Sequence, residues 1–190
     1  DGDRIVAGTY LIAAAAAGGE IEISGIRSEE LASLTALLEE GGAVVYREQD
    51  RIYLRRQRPF GRIRAKTGPY PDFPTDLQSP LLALMSVSGG GMVEETVFES
   101  RFKTALELNK MGAAAEISGK LAKVAEGRRL HGCRVRACDL RGGAALVAAG
   151  LAAEGTTFVE QAEYIFRGYE DICRDLSSLG GRLWYRESVA

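Results

Sequence analysis

A chain of 190 residues, 46% apolar and 26% charged, is long enough for one domain with a real core and too hydrophobic to stay disordered. Its 24 basic residues nearly balance 26 acidic ones, so no overall field draws nucleic acid or an anionic membrane, and an anionic ligand must be met by a few placed arginines. The longest apolar run, Tyr10 to Gly18, is too short to span a bilayer and no charged leader precedes it, so the expectation is a cytoplasmic protein without a membrane segment.

Cys133, Cys138 and Cys173 lack CxxC spacing and His131 is the only histidine, which argues against structural zinc and a histidine triad; no cofactor is implied. The chain opens at Asp1-Gly2-Asp3 without a methionine, which fits a piece of a longer protein.

Ile5 to Ala17 is apolar around its whole circumference and stops at Gly18-Gly19, the mark of a buried helix. Glu20 to Ser24 alternates as a strand. Ser28 is placed to cap a helix over Glu29 to Glu40, whose Leu31, Leu34, Leu37 and Leu38 form one stripe. Gly41-Gly42 closes it, and Ala43 to Tyr46 with Arg51 to Arg55 reads as a hairpin across Glu48-Gln49-Asp50.

From Arg62 the same order returns: strand Arg62 to Ala65, a proline connector, a buried helix Asp76 to Val87, strand Met92 to Val97, a helix Arg101 to Met111, then strands Ala113 to Ser118 and Ala122 to Ala125. It returns again with strand Arg134 to Ala137, buried helix Leu140 to Ala153, strand Thr156 to Gln161, and a helix striped by Tyr169, Ile172, Leu176 and Leu179 that leads into Arg182 to Arg186. The turn glycines Gly42, Gly112 and Gly180 lie 70 and 68 residues apart, a period that means three copies of one supersecondary unit. The expected units span about 1–57, 58–130 and 131–190. Each reads strand, helix, strand, helix, strand, strand, with three apolar helices inside and the rest around them. The first unit starts directly with its helix, so its opening strand is expected from elsewhere in a longer chain.

The connector is the most informative run. Pro69, Pro71 and Pro74 stiffen Gly68 to Gln78 and end abruptly where a helix can begin, which leaves Thr75 and Asp76 in a position suited to an N-cap. Asp3, Asp76 and Asp139 all stand near the start of a buried helix, so capping is one reading of each.

Three such units resemble one half of the enolpyruvyl transferases. The expected fold class is therefore α/β, an inside-out α/β barrel lobe of that type. Phe73-Pro74-Thr75-Asp76-Leu77-Gln78 is the strongest match, followed in order by Glu95-Thr96-Val97-Phe98-Glu99-Ser100-Arg101-Phe102, Cys138-Asp139-Leu140-Arg141-Gly142-Gly143-Ala144-Ala145 and Arg167-Gly168-Tyr169; Asp3 to Tyr10 resembles the entry into the second lobe. The likeness covers essentially the whole chain and is to the branch acting on UDP-N-acetylglucosamine.

That resemblance implies transfer of enolpyruvyl from phosphoenolpyruvate to the 3-hydroxyl of UDP-N-acetylglucosamine in peptidoglycan precursor synthesis. It also implies a partner lobe, absent here, that carries a cysteine loop and phosphate-binding lysine and arginine, so this lobe is expected to be inactive alone. Asp76 matches the catalytic base and a substrate ligand, and Val97 a backbone position that contacts the nucleotide sugar. Arg101, Arg141 and Arg167 match anion ligands, a task that suits the guanidinium fork, and Asp139 is expected to orient an arginine. The departure is Tyr164-Ile165-Phe166, where some relatives carry polar residues. Cys138 is read as a small buried residue. Two rivals stand beside this reading: a lobe of the shikimate-pathway enolpyruvyl transferase, and a non-catalytic lobe that binds nucleotide sugar or a regulatory partner.

Overall fold

The computed structural model describes residues 2–56 and 59–187. Three helices form the interior because they are apolar on nearly every side, with their few polar residues mostly in the first turns: α1 (Arg4–Ala17), α3 (Gln78–Met85) and α5 (Leu140–Ala152). Every residue of α3 is buried, and α1 and α5 are rich in alanine and glycine, which lets the three axes approach closely and touch in all three pairings. Gly8 shows how close: a β-carbon there would stand 2.6 Å from Leu77 Cδ1. The C-terminal ends of all three lie round one open cavity of about 480 Å³, so the helices run in the same direction. At that end Arg56 donates to the carbonyls of Ala15 and Ala16, where a cation suits the helix dipole.

The N-termini gather at the opposite end. Asp3 caps α1 by accepting from Ile5 N and Val6 N, and Asp139 caps α5 by accepting from Gly142 N. Asp76 does not cap: it sits in a short 3-10 turn, Thr75–Leu77, and its side chain takes no backbone N–H of the helix that follows. The shared placement of the three aspartates therefore hides two different jobs.

Around the helices lie three separate sheets and no closed barrel among the described residues. In the first, β1 (Glu20–Ser24) and β2 (Ala43–Glu48) flank β3 (Arg51–Arg56), all antiparallel. The second pairs β4 (Ile63–Lys66) parallel to β5 (Gly91–Glu94), which continues antiparallel to β7 (Leu121–Val124) and then β6 (Ala115–Ser118). The third is a parallel pair, β8 (Arg134–Arg136) with β9 (Phe158–Glu160). The outer helices are α2 (Ala32–Gly41), α4 (Lys103–Lys110) and α6 (Ile172–Ser178).

Several expected boundaries shift. Ser28 is not a cap but part of a 3-10 turn, Ser28–Leu31, that precedes α2. The strand expected to reach Val97 ends at Glu94, because the chain turns there to serve the Glu95 carboxylate. Tyr169 precedes α6 rather than lying in it, and no strand forms over 182–186 among the described residues. Cys138 is exposed, not buried. The boundary expected at 57 and 58 lies outside the described residues. No helix among the described residues is long and apolar enough to cross a membrane.

Candidate functional site

The proline connector ends in the Thr75–Leu77 turn, and Leu77, fully buried against Gly8, anchors that turn to the core. Anchored there, Asp76 meets two arginines from different parts of the chain. Arg101, from the loop before α4, donates through Nη2 to Asp76 Oδ1 at 2.7 Å and through Nη1 to Thr75 Oγ1 at 3.0 Å. Arg141, in the first turn of α5, brings its Nη2 to 3.7 Å from Asp76 Oδ2. The arginine side chains are 22% and 15% exposed, while the Asp76 side chain keeps 39%, so the carboxylate remains within reach of a ligand.

Each guanidinium is also held from another side. Arg101 lies over the Phe98 ring at 4.9 Å. Arg141 donates at 3.4 Å to the hydroxyl of Tyr169, which is buried and stands 2.7 Å from Thr9 Oγ1 on α1. Burial pushes the Tyr169 phenol up from its ordinary value, so at neutral pH it remains a neutral donor and acceptor between Thr9 and Arg141.

The Val97 backbone N–H donates to Glu95 Oε1 at 2.9 Å, and the residue is 42% exposed and lies beyond the end of β5. Asp139 forms no ion pair with an arginine among the described residues. It holds the N-terminus of the helix that carries Arg141, so its influence runs through the backbone. Arg167 closes a 3-10 helix, Ala162–Arg167, ahead of α6; it lies exposed with its guanidinium 5.1 Å from the Tyr164 ring centre and is not in ion-pair contact with Asp76 among the described residues. The structure thus joins Asp76, Arg101 and Arg141 and leaves Arg167 apart.

Beside Arg101 opens a depression of about 370 Å³ lined by Phe98, Glu99, Ser100, Arg101, Lys103 and Asp139. The larger cavity at the helix C-termini is lined in part by Arg56, Arg128, Arg129 and Glu154; it shares no residue with this site. No group of metal-ligating side chains gathers among the described residues. In this arrangement the partly exposed Asp76 carboxylate can accept a proton from a neutral hydroxyl, and the two guanidinium groups beside it can hold a small anion.

Sequence reasoning gave no role to Thr75 beyond a cap, to Tyr169 beyond a helix stripe, or to Glu95 beyond its place in a matched string. Glu95 is 1% exposed, and it follows directly on Glu94, the acidic last residue of β5, so the sequence does not distinguish it from a solvated acidic pair.

Comparison with known proteins matches nearly the whole length of the chain. The family model described as EPSP synthase (3-phosphoshikimate 1-carboxyvinyltransferase) matches residues 1–176. A UDP-N-acetylglucosamine 1-carboxyvinyltransferase of Desulfofundulus thermocisternus is 48% identical over 183 residues, 96% of this chain and 75% of that protein. UDP-N-acetylglucosamine 1-carboxyvinyltransferase 3 of Caldanaerobacter subterraneus subsp. tengcongensis is 44% identical over 94% of this chain, and the chain spans only 43% of it. Among solved structures, the enolpyruvyl transferase NikO from Streptomyces tendae superposes with a TM-score of 0.82 at 26% identity, covering 92% of this chain and 43% of that one. EPSP synthase from Acinetobacter baumannii, at a TM-score of 0.68 and 16% identity over 93% of this chain and 45% of that one, shares the fold.

Proposed function

This chain belongs to the enolpyruvyl transferase family, and from that premise we propose that it is the catalytic-base lobe of an enzyme that transfers enolpyruvyl from phosphoenolpyruvate to the 3-hydroxyl of UDP-N-acetylglucosamine. The observation that carries the reading is the reachable Asp76 carboxylate held between Arg101 and Arg141, in a chain 48% identical to a protein of that name. The three sheets and three inner helices are three copies of one unit. The other wall of the cleft comes from a second lobe, and the lobe alone does not turn over.

Asp76 accepts the hydroxyl proton as the acceptor oxygen forms its bond to C2 of phosphoenolpyruvate and delivers a proton to the methylene carbon, which becomes a methyl, giving a tetrahedral phospholactyl ether. Elimination breaks the C2–O bond to phosphate while Asp76 takes one methyl proton, which leaves with the phosphate, so the products are the enolpyruvyl ether and inorganic phosphate. Proton count and charge balance with no external oxidant or metal. Arg101 and Arg141 offer fork geometry to the carboxylate and phosphate, and Arg167 joins them when the lobes close. Val97 presents backbone to the nucleotide sugar. The reaction is a cytoplasmic step in cell-wall precursor synthesis.

The test is phosphate release by the full-length protein with phosphoenolpyruvate and either UDP-N-acetylglucosamine or shikimate 3-phosphate. Turnover with the sugar nucleotide is expected. Turnover with shikimate 3-phosphate alone, or with neither, overturns the proposal.

A further inference from the structure

Behind the Asp76 site sits a carboxylate that faces no open space. Glu95 is 1% exposed and accepts four hydrogen bonds: from Thr67 Oγ1 at 2.8 Å, Val97 N at 2.9 Å and Phe98 N at 3.1 Å, all to Oε1, and from Thr75 Oγ1 at 2.8 Å to Oε2. A buried charge satisfied by four donors is held in one position, and so are its donors. Two of those donors lead directly to Arg101. Thr75 accepts from Arg101 Nη1, and the Phe98 ring lies beneath the guanidinium. The third, Val97 N, belongs to the segment proposed to meet the nucleotide sugar.

The direction of these bonds is what matters. A hydroxyl has one hydrogen. Because Thr75 donates its hydrogen to Glu95, its lone pairs face Arg101, which can only donate. Glu95 thereby sets the polarity of Thr75, and Thr75 in turn sets the place of the guanidinium on Asp76.

We propose that Glu95 is a positioning residue, which fixes Arg101 against Asp76 through Thr75 and Phe98 and orients the Val97 backbone in the same step. This rests on the enolpyruvyl transfer reading above. Glu95 exchanges no proton with substrate: its oxygens are occupied and it has no path to the cleft except through these neighbours.

Glu95→Gln is the discriminating substitution because it keeps shape and reverses one donor. If the amide nitrogen takes the Oε2 place, it donates to Thr75 and turns the hydroxyl hydrogen toward Arg101; if it takes the Oε1 place, it confronts the hydroxyl of Thr67 and two backbone N–H groups. Either orientation moves Arg101.

The experiment measures steady-state phosphate release by the full-length protein with UDP-N-acetylglucosamine and phosphoenolpyruvate, for wild type, Glu95→Gln, Thr75→Val and the double variant. Each single substitution is expected to lower kcat/KM about 100-fold, the size of effect that misplacing a reacting group by an ångström produces. The double variant is expected to lose no more than the worse single, because both act through one contact. Glu95→Gln within twofold of wild type, or losses that multiply to roughly 10⁴-fold in the double variant, overturns the positioning role. Wild-type protein inactive with this acceptor overturns the functional reading, and the role of Glu95 in it. Should Glu95→Gln not fold, Thr75→Val and Phe98→Leu decide: unchanged kcat/KM in both overturns the proposal, and a loss in both, with wild-type unfolding midpoints, supports it.

Discussion

Asp76 and Arg101, 25 residues apart in sequence, meet at 2.7 Å because the connector before α3 and the loop before α4 end at the same edge of the buried helices. The pair is partly exposed, so its energy as a salt bridge is small and its value is geometric. Replacing Asp76 by Asn in the full-length protein removes the base while keeping an acceptor for Arg101. Phosphate release is expected to fall in kcat by about 10²- to 10⁴-fold, with little change in the urea midpoint.

Lysine at position 101 or 141 keeps the charge and loses the fork. Arg101→Lys and Arg141→Lys should each raise the KM for phosphoenolpyruvate roughly tenfold, the equivalent of one charge-assisted hydrogen bond. A titration of initial rate against phosphoenolpyruvate at saturating acceptor reads this. An unchanged KM in both variants would remove these arginines from the anion site.

Gly8 tests how the core sets the site. A methyl at this position meets the Leu77 side chain at 2.6 Å, and Leu77 anchors the turn that carries Asp76. Gly8→Ala is expected to destabilise the chain by about 1–3 kcal/mol through overpacking, seen as a lower urea midpoint by circular dichroism. Gly18→Ala, where a methyl meets open space but φ is 84°, should destabilise through backbone strain alone.

Alkaline pH probes the other face of α1. The Tyr10 phenol is pushed up from its ordinary value of 10.0, first by burial and then by its hydrogen bond to Asp175. In the unfolded chain it ionises near its ordinary value, whereas in the folded chain it stays protonated to higher pH. Stability present below pH 10 is therefore lost as pH rises above it. Urea midpoints at pH 9 and pH 11 should fall more steeply in wild type than in Tyr10→Phe, and parallel slopes would contradict this origin.

The legible part of this protein was its interior. Runs such as Ile5 to Ala17 and Leu140 to Ala153 have no polar side, and an element with no polar side has only one place to go. Their recurrence placed three helices at the centre, and the strand at Glu20 to Ser24 was read to the residue. Boundaries slipped where a side chain competes with the ladder, as at Glu95, or where a 3-10 turn replaces the first turn of a helix, as at Ser28 and Thr75. Those choices depend on partners far along the chain.

Linear pattern alone determined the apolar helices, their spacing and the stiff connector that leads to Asp76, because hydrophobic periodicity and proline geometry act locally. It could not separate Asp76 from the caps Asp3 and Asp139, since an aspartate at a helix start is the same signal in each case. Tertiary structure decided that. Asp3 and Asp139 found backbone N–H groups within their own helices. Asp76 instead found Arg101 and Arg141, and Glu95 found the hydroxyls and amides that hold them, through contacts that exist only once three separate helix ends share one edge.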